Sequence, residues 1–169
     1  MNYKKLTWGK EDEINVIIEI PKGSSNKYEY DKELETFKLD RTMHSAVFYP
    51  FDYGFIPNTK ADDGDDLDAI VLIEKPTFTG CLIKTRVIGA LEMEDEKGED
   101  YKIITVPIEK VEPRKTEIRD IKDLSKHEKK EIEEFMEHYK DLEPHKWVKI
   151  IGFKTKQEAI EIIKKSIKE

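Results

Sequence analysis

The sequence predicts an α+β domain, in which a mainly antiparallel β-barrel packs against helices on its outside. Two observations support this fold class. Short apolar and β-branched runs separated by turn residues fill the first two-thirds of the chain, which is typical of a barrel or sandwich. Amphipathic patterns of helical period, with capping signals, come only afterwards. The chain therefore places its helices after most of its strands.

Six segments have the composition of strands. The first stops at the turn sequence Pro21-Lys22-Gly23, and two later ones form an expected hairpin around Gly98. In chain order the predicted strands span residues 14–20, 35–40, 67–73, 81–92, 101–109 and 147–153.

Two helices are predicted from capping boxes followed by an apolar stripe. Ser125 with Glu128 fits the first box, and the helix after it runs to about residue 140. Thr155 with Glu158 fits the second, and a further amphipathic helix follows. Both helices have one apolar face with which to cover a sheet.

Length and composition predict a single domain, residues 1–169. The formal net charge is −7, which disfavours a protein that coats duplex nucleic acid. Cys81 is the one cysteine, so an intrachain disulfide and a cysteine-based zinc site are excluded. No apolar run approaches the ~18 residues of a membrane span, and residues 1–12 lack the apolar segment of a signal peptide. We therefore expect a cytoplasmic protein.

The densest acidic cluster comes immediately before an apolar predicted strand. Its sequence is Asp62-Asp63-Gly64-Asp65-Asp66-Leu67-Asp68. Two carboxylates ~4 Å apart repel by ~4 kcal/mol at an effective dielectric constant of ~20, and a bound divalent cation removes that repulsion. Hard oxygen ligands suit Mg²⁺. A solvated turn is the alternative, whereas an EF-hand is excluded because Leu67 stands where its loop needs glycine.

Other charged residues are spaced so that a strand would direct them to one face. Asp100 and Lys102 are two residues apart, as are Lys27 and Glu29. Glu19 interrupts a β-branched run, where it is either an edge-strand surface residue or a partnered interior one. A solvated hairpin tip and an ordinary polar strand face are the alternatives for the two pairs.

Aromatic residues are concentrated in segment 48–55, which is most often a core pattern. Tyr49 and Tyr53 nevertheless carry hydroxyls that need partners if they are buried. Arg41 precedes this segment, and its planar guanidinium suits bidentate contact with phosphate. Lys140 follows the first predicted helix, where the helix dipole offers an alternative explanation.

Seven short motifs, in order over residues 16–153, together resemble the soluble family I inorganic pyrophosphatases. The motifs are Ile18-Glu19-Ile20-Pro21, Lys27-Tyr28-Glu29, Asp40-Arg41, Phe48-Tyr49-Pro50-x-x-Tyr53-Gly54, Asp63-Gly64-Asp65-x-Leu67-Asp68, Asp95-x-x-Gly98-Glu99-Asp100-x-Lys102 and Glu137-His138-Tyr139-Lys140-Asp141-Leu142-Glu143.

The resemblance implies a five-stranded, OB-like antiparallel β-barrel with flanking helices. It implies hydrolysis of pyrophosphate to two orthophosphates with Mg²⁺ as cofactor, and a homohexamer built as a dimer of trimers. Glu19 would act mostly through metal-bound water. The metal ligands that the resemblance implies are Glu19, Glu29, Asp63, Asp65, Asp68, Asp95 and Asp100.

The same resemblance implies roles in substrate binding and catalysis. Asp65 would be the general base for the attacking water, with Tyr53 supporting it. Asp66 stands where the family usually has Pro or Glu, and we expect its side chain to face outward. The implied substrate-binding residues are Lys27, Arg41, Tyr49, Lys102, Tyr139 and Lys140.

Two other classes of function remain open from the residues alone. An OB-type nucleic-acid-binding module would share the barrel, but it would want basic residues and exposed stacking aromatics along a groove. A Ca²⁺-binding structural domain would use the same carboxylates without hydrolysis. Neither a membrane nor a nucleic acid is an expected partner.

Overall fold

Nine strands and two α-helices follow one another in the computed structural model, which describes residues 3–168. The strands are β1 (Gly9–Lys10), β2 (Glu13–Ile20), β3 (Asn26–Asp31), β4 (Thr36–Thr42), β5 (Asp52–Phe55), β6 (Asp68–Val71), β7 (Leu82–Asp95), β8 (Gly98–Pro107) and β9 (Val148–Thr155). The helices are α1 (Lys126–His138) and α2 (Lys156–Ser166). The predicted domain limits, 1–169, extend beyond the described residues at both ends.

Five strands close into a ring, which confirms the α+β class and the sheet-rich first part of the chain. The sheet order is β1-β2-β5-β6-β8-β7-β9, and an additional pairing between β2 and β7 closes the ring. One of its five pairings, β6 with β8, is parallel, so a fully antiparallel arrangement is wrong. The reason is topological, because an odd number of strands cannot alternate in direction all the way round a closed ring.

The strand β5 is the ring member that the sequence pattern did not predict. It has only four residues, too few for a clear alternation, and all four are buried. Gly54 lets it lie against β2, because a Cβ at this position would stand 1.8 Å from the backbone oxygen of Ile17. The aromatic segment is thus both core and strand.

The two helices lie in different buried hydrophobic clusters. Ile132, Phe135 and Met136 of α1 lie in one buried cluster with residues of the ring. Ala159 and Ile163 of α2 lie in a second such cluster. Both capping boxes are present as predicted, on Ser125 and Thr155. No helix within residues 3–168 is long and apolar enough to cross a membrane.

The hairpin of β7 and β8 is longer and tighter than predicted. The strands pair up to Asp95 opposite Gly98, which leaves two residues for the turn. Gly98 has a φ of 119°, a conformation that favours glycine. The strands β3 and β4 form a separate two-stranded sheet. Residues of this sheet, of the ring and of the acidic segment line one cavity. The tight hairpin puts Asp95 and Asp100 on strands rather than in a solvated tip.

Candidate active site

One cavity of about 810 Å³ receives nearly every site residue that the sequence singled out. Of the described residues, twelve carboxylate side chains and eight cationic ones line it. Tyr49 is the exception among the predicted site residues, since it contributes no lining surface and is 2% exposed. The thirteen predicted site residues in the lining are Glu19, Lys27, Glu29, Arg41, Tyr53, Asp63, Asp65, Asp68, Asp95, Asp100, Lys102, Tyr139 and Lys140.

Lys102 lies at the centre of the charged groups on the ring. Its Nζ donates to a carboxylate oxygen of Asp68 and lies 2.7 Å from Oδ2 of Asp100. The two carboxylates come from the neighbouring parallel strands β6 and β8, so the ring itself brings them together. Asp100 and Lys102 share a strand face, as their spacing predicts.

The pKa values of these groups reflect burial and crowding. Desolvation lowers the pKa of Lys102, but the negative charges of Asp68 and Asp100 outweigh it and hold that pKa well above its ordinary value. Desolvation raises the pKa of Asp100, and repulsion by Asp68 raises it further against the attraction of Lys102. The ammonium therefore stays charged where the carboxylates are in excess.

Glu19 is an interior residue, not an edge-strand surface one. Its strand, β2, has partners along both sides. Its Oε1 accepts the backbone N–H of Tyr30 at 2.8 Å. Burial, with a smaller contribution from the charge of Asp68, raises the pKa of Glu19 to about 8. This carboxylate lacks a cationic partner within bonding distance among residues 3–168.

Lys140 and Asp95 form a buried ion pair where α1 ends and the β7–β8 hairpin turns. Nζ of Lys140 lies 2.9 Å from Oδ2 of Asp95, and both residues are 8% exposed. Desolvation raises the pKa of Asp95, but the bonds from Lys140 and from the backbone N–H of Lys97 outweigh it and lower that pKa. The pair joins two elements of the cavity wall.

The β3–β4 hairpin carries a second group of charges. Lys27 and Arg41 lie opposite each other in the register. Lys27 is hydrogen-bonded to Glu29, and Nε of Arg41 donates to Oε1 of Glu143 at 2.8 Å. The last of the seven motifs contains Glu143, for which the sequence predicts no role. Its burial, 7% exposed, could not be predicted because it follows α1 by a turn of irregular chain.

The tyrosines form the floor of this charged region. Tyr49 packs on Phe135, with ring centroids 4.7 Å apart, and on Tyr53 at 5.6 Å. Phe135 in turn stacks on Tyr139 at 5.4 Å. Burial raises the pKa of all three tyrosine hydroxyls, so they remain protonated donors at neutral pH. Lys102 lies over the ring of Tyr53, with 5.8 Å between Nζ and the centroid.

The acidic segment before β6 is a loop whose carboxylates differ sharply in exposure. The side chain of Asp65 is 74% exposed, and that of Asp63 is 41% exposed. The side chain of Asp66 is only 11% exposed and lies between Lys32 and Lys168. The expectation that Asp66 faces outward is therefore wrong, because two distant lysines hold it against the protein.

The donor set of the cavity fits a hard divalent cation. Its carboxylates outnumber its cationic side chains, and Lys102 serves two of them at once. Within residues 3–168 no group of three or more His, Cys, Asp or Glu side chains is already arranged as a metal site. Asp68, Asp100 and Glu19 are held on rigid strands, and a cation between carboxylates relieves their repulsion.

The comparisons with known proteins agree with this geometry. The profile of the family described as inorganic pyrophosphatase matches residues 16–169. The inorganic pyrophosphatase of Saccharolobus solfataricus is 51% identical over 165 residues, which cover 96% of each chain. That of a Helicobacter pylori strain is 47% identical over 169 residues, or 99% of this chain and 98% of the relative.

A solved structure is also similar over nearly the whole chain. The crystal structure of inorganic pyrophosphatase from Thermus thermophilus has a TM-score of 0.95 and 46% identity, with 99% of this chain and 97% of that chain covered. The matched span includes all the elements that line the cavity. The chain therefore belongs to the family I inorganic pyrophosphatases, which are hydrolases.

Proposed function

We propose that this protein hydrolyses inorganic pyrophosphate to two orthophosphates, with Mg²⁺ as its cofactor. The observation that carries the proposal is the composition of the cavity of about 810 Å³, where cationic side chains and tyrosines stand among an excess of carboxylates. Pyrophosphate has no carbon atoms to recognise, so a site for it must act through charge and hydrogen bonds. Membership of the family supports the same reaction.

The cationic and phenolic groups are the proposed substrate ligands. Arg41 offers a planar fork for two phosphate oxygens, and its bond to Glu143 fixes the direction of that fork. Lys102 is already charged and buried, so it would meet phosphate without a costly loss of water. The other proposed substrate ligands are Lys27, Tyr49, Tyr139 and Lys140, of which Tyr49 would contribute through its packing beneath the cavity.

Seven carboxylates are the proposed ligands of Mg²⁺. When bound, Mg²⁺ neutralises charge on the phosphate oxygens and lowers the pKa of the attacking water. Glu19 would contribute mostly through an intervening water, because its Oε1 is already committed to the backbone of Tyr30. The proposed ligands are Glu19, Glu29, Asp63, Asp65, Asp68, Asp95 and Asp100.

Asp65 is the proposed general base. Its exposed carboxylate can take the proton of the water that attacks one phosphorus atom. The new P–O bond forms as the bond from that phosphorus to the bridging oxygen breaks, and the second phosphate leaves. Tyr53 is the proposed support for this step through its protonated hydroxyl at the base of the site.

Phosphate release from pyrophosphate by the purified protein tests the proposal directly. We expect turnover with Mg²⁺ and almost none in EDTA. Metal-independent turnover, or no turnover with any divalent cation, would overturn it. Ca²⁺ is an informative third condition, because we expect it to inhibit the enzyme. If the protein were instead a Ca²⁺-binding structural domain, Ca²⁺ would support its folding as well as Mg²⁺ does.

A gel shift with a single-stranded oligonucleotide tests the nucleic-acid alternative, which the acidic cavity does not favour.

Three further features are proposed, the first two from the resemblance and the third from the length and sequence pattern of the chain. They are an OB-like character of the five-strand ring, a homohexamer formed from two trimers, and a single cytoplasmic domain over residues 1–169. Size-exclusion chromatography with light scattering tests the hexamer.

A further inference from the structure

Asp66, on the acidic loop, forms ion pairs with two lysines. Its Oδ1 lies 2.5 Å from Nζ of Lys168, and its Oδ2 lies 3.2 Å from Nζ of Lys32. Only 11% of its side chain is exposed, against 74% for Asp65 beside it. Both oxygens of Asp66 are thus held by cations that come from distant parts of the chain.

The backbone around Lys168 is itself fixed. The N–H of Lys60 donates to the oxygen of Ser166 at 2.6 Å, and the N–H of Lys168 donates to the oxygen of Asn58 at 3.1 Å. Thr59 and Ile167 form an antiparallel bridge between these two bonds. The chain after α2 is therefore joined to the segment that leads into the acidic loop, and its lysine approaches Asp66 from a defined position.

Lys32 brings in a third element. It lies between β3 and β4, the hairpin that carries Lys27, Glu29 and Arg41. Its Nζ is also 3.5 Å from Oδ1 of Asp65. The carboxylate of Asp66 thus connects the acidic loop, the substrate-binding hairpin and the end of α2.

We propose that Asp66 and Lys168 are positioning residues that hold the acidic loop, and with it Asp65 and Asp63, in the orientation that binds Mg²⁺. This inference rests on the proposed function of the cavity. The tip of the loop has little packing of its own, since a Cβ at Gly64 would meet nothing within 4 Å. Backbone bonds close the loop, from the N–H of Ala61 to the oxygen of Asp65 at 2.7 Å and from the N–H of Leu67 to Oγ1 of Thr59 at 2.8 Å. The ion pairs of Asp66 add side-chain contacts that join this side of the loop to Lys32 and Lys168.

A positioning role and a purely electrostatic one predict opposite signs. If Lys168 acts only through its charge, its neutralisation removes a cation from the neighbourhood of the carboxylates, and Mg²⁺ binds more tightly. If Lys168 holds the loop, its neutralisation loosens Asp63 and Asp65, and Mg²⁺ binds more weakly. An exposed ion pair is worth up to ~1 kcal/mol, which is a factor of about five in a dissociation constant, so we expect a weakening of about two- to fivefold.

The test is calorimetric titration of Mg²⁺ alone into the full chain and its variants. We expect Lys168→Gln to raise the Mg²⁺ dissociation constant about two- to fivefold and Lys168→Arg to restore it. Lys164→Gln is the matched control, because it removes the same charge from an exposed lysine of α2, the helix that precedes Lys168. In the background of Asp66→Asn, the substitution Lys168→Gln should have no further weakening effect. Tighter Mg²⁺ binding by Lys168→Gln, or a change equal to that of the control, overturns the proposal.

Hydrogen exchange supplies a readout that does not depend on metal or activity. Lys168→Gln should speed exchange of the backbone amides of residues 61–67, while Lys164→Gln leaves them unchanged. Unchanged exchange in both variants would also overturn the positioning role. Failure of the proposed function is recognised separately, because then the unsubstituted protein would release no phosphate from pyrophosphate.

Discussion

The carboxylates of the cavity fall into two groups that differ in how they are held. Glu19, Asp68 and Asp100 stand on three strands of the ring, where the pairing register fixes their backbone. Asp63 and Asp65 stand on a loop whose tip is solvated, with contacts to lysines at 3.9 and 3.5 Å. Oδ1 of Asp63 also accepts the backbone N–H of Asp65 at 3.0 Å. The first group is the more buried of the two, whereas the second is more exposed to water, most of all at Asp65.

The two groups therefore differ in how much their charges destabilise the fold and in the roles that we propose for them. Burial and, in smaller part, repulsion by Asp68 disfavour the charged forms of Glu19 and Asp100 in the metal-free protein, which raises the pKa values of both groups. The carboxylates on the loop cost the fold little, because water stabilises their charge. A general base needs contact with the attacking water, so the exposed group is the suitable place for it. The proposed ligands on strands and the proposed base on the loop thus come from separate parts of the chain.

The largest expected effect is loss of the base on the loop. Asp65→Asn keeps the size of the side chain but cannot take a proton, so kcat should fall by ~10²–10⁴-fold, the usual contribution of a general base. Asp62→Asn is the matched control, since it makes the same change on the same exposed loop at a position without a proposed role. Initial rates of phosphate release at saturating Mg²⁺ measure both. Equal losses in the two variants would show that loop charge, not a particular base, drives the rate.

The next effect separates ligation by the strands from ordinary ion pairing. Mg²⁺ at a hundred times its Kd should stabilise the folded protein by ~2.7 kcal/mol. A domain of this size shifts by ~2–4 °C per kcal/mol, so Tm should rise by about 5–11 °C. Asp68→Asn should remove most of that rise. Because Lys102 already compensates Asp68 in the metal-free protein, we expect little change of Tm in EDTA.

Thermal-shift series with Mg²⁺ titrated against EDTA measure this, at one scan rate and one protein concentration. If Asp68→Asn keeps the full response to Mg²⁺, Asp68 is not a ligand. In that case the role of Asp68 would be structural, through its ion pair with Lys102. A lowered Tm in both conditions would likewise identify a structural carboxylate.

The strand-borne half of the site was largely predictable from local sequence. Asp100 and Lys102 share a face because the period of a strand is two residues, and this needs no knowledge of distant contacts. The capping boxes of both helices are equally local signals. The parallel pairing of β6 and β8 was missed, although the predicted number of five strands in a closed ring already requires one parallel contact.

For the part of the site on the acidic loop, the sequence predicts which residues are present but not which way their side chains point. Nothing near Asp66 indicates that it is held inward, because its partner Lys168 is 102 residues away in the chain. The burial of Glu143 and its bond to Arg41 likewise join residues 102 apart. Such contacts arise from the tertiary fold, so a pattern confined to a few neighbouring residues cannot contain them.

The smallest expected effects are changes in the free energy of unfolding, which differ between the two groups of carboxylates. Glu19→Gln should stabilise the protein in EDTA, because the amide oxygen can still accept the N–H of Tyr30 while the repulsion with Asp68 is removed. Since Glu19 keeps some solvent contact, we expect about 1–2 kcal/mol, or ~2–8 °C in Tm. Asp65→Asn should change the unfolding free energy by less than ~0.5 kcal/mol, because an exposed charge is well hydrated.

The pH dependence of the Glu19→Gln effect has a defined sign. The folded pKa of Glu19, about 8, lies above the ordinary value of 4.5, so the folded state holds this proton more firmly than the unfolded state. The unfavourable ionised form therefore costs stability progressively as pH rises from about 4.5 to 8, and the full cost is present above pH 8. The gain from Glu19→Gln should be small at pH 5 and largest near pH 8.5, as measured by denaturant unfolding in EDTA. A gain that is equal at both pH values would mean that the carboxylate is as well solvated as those on the loop, and the contrast between the two groups would not hold.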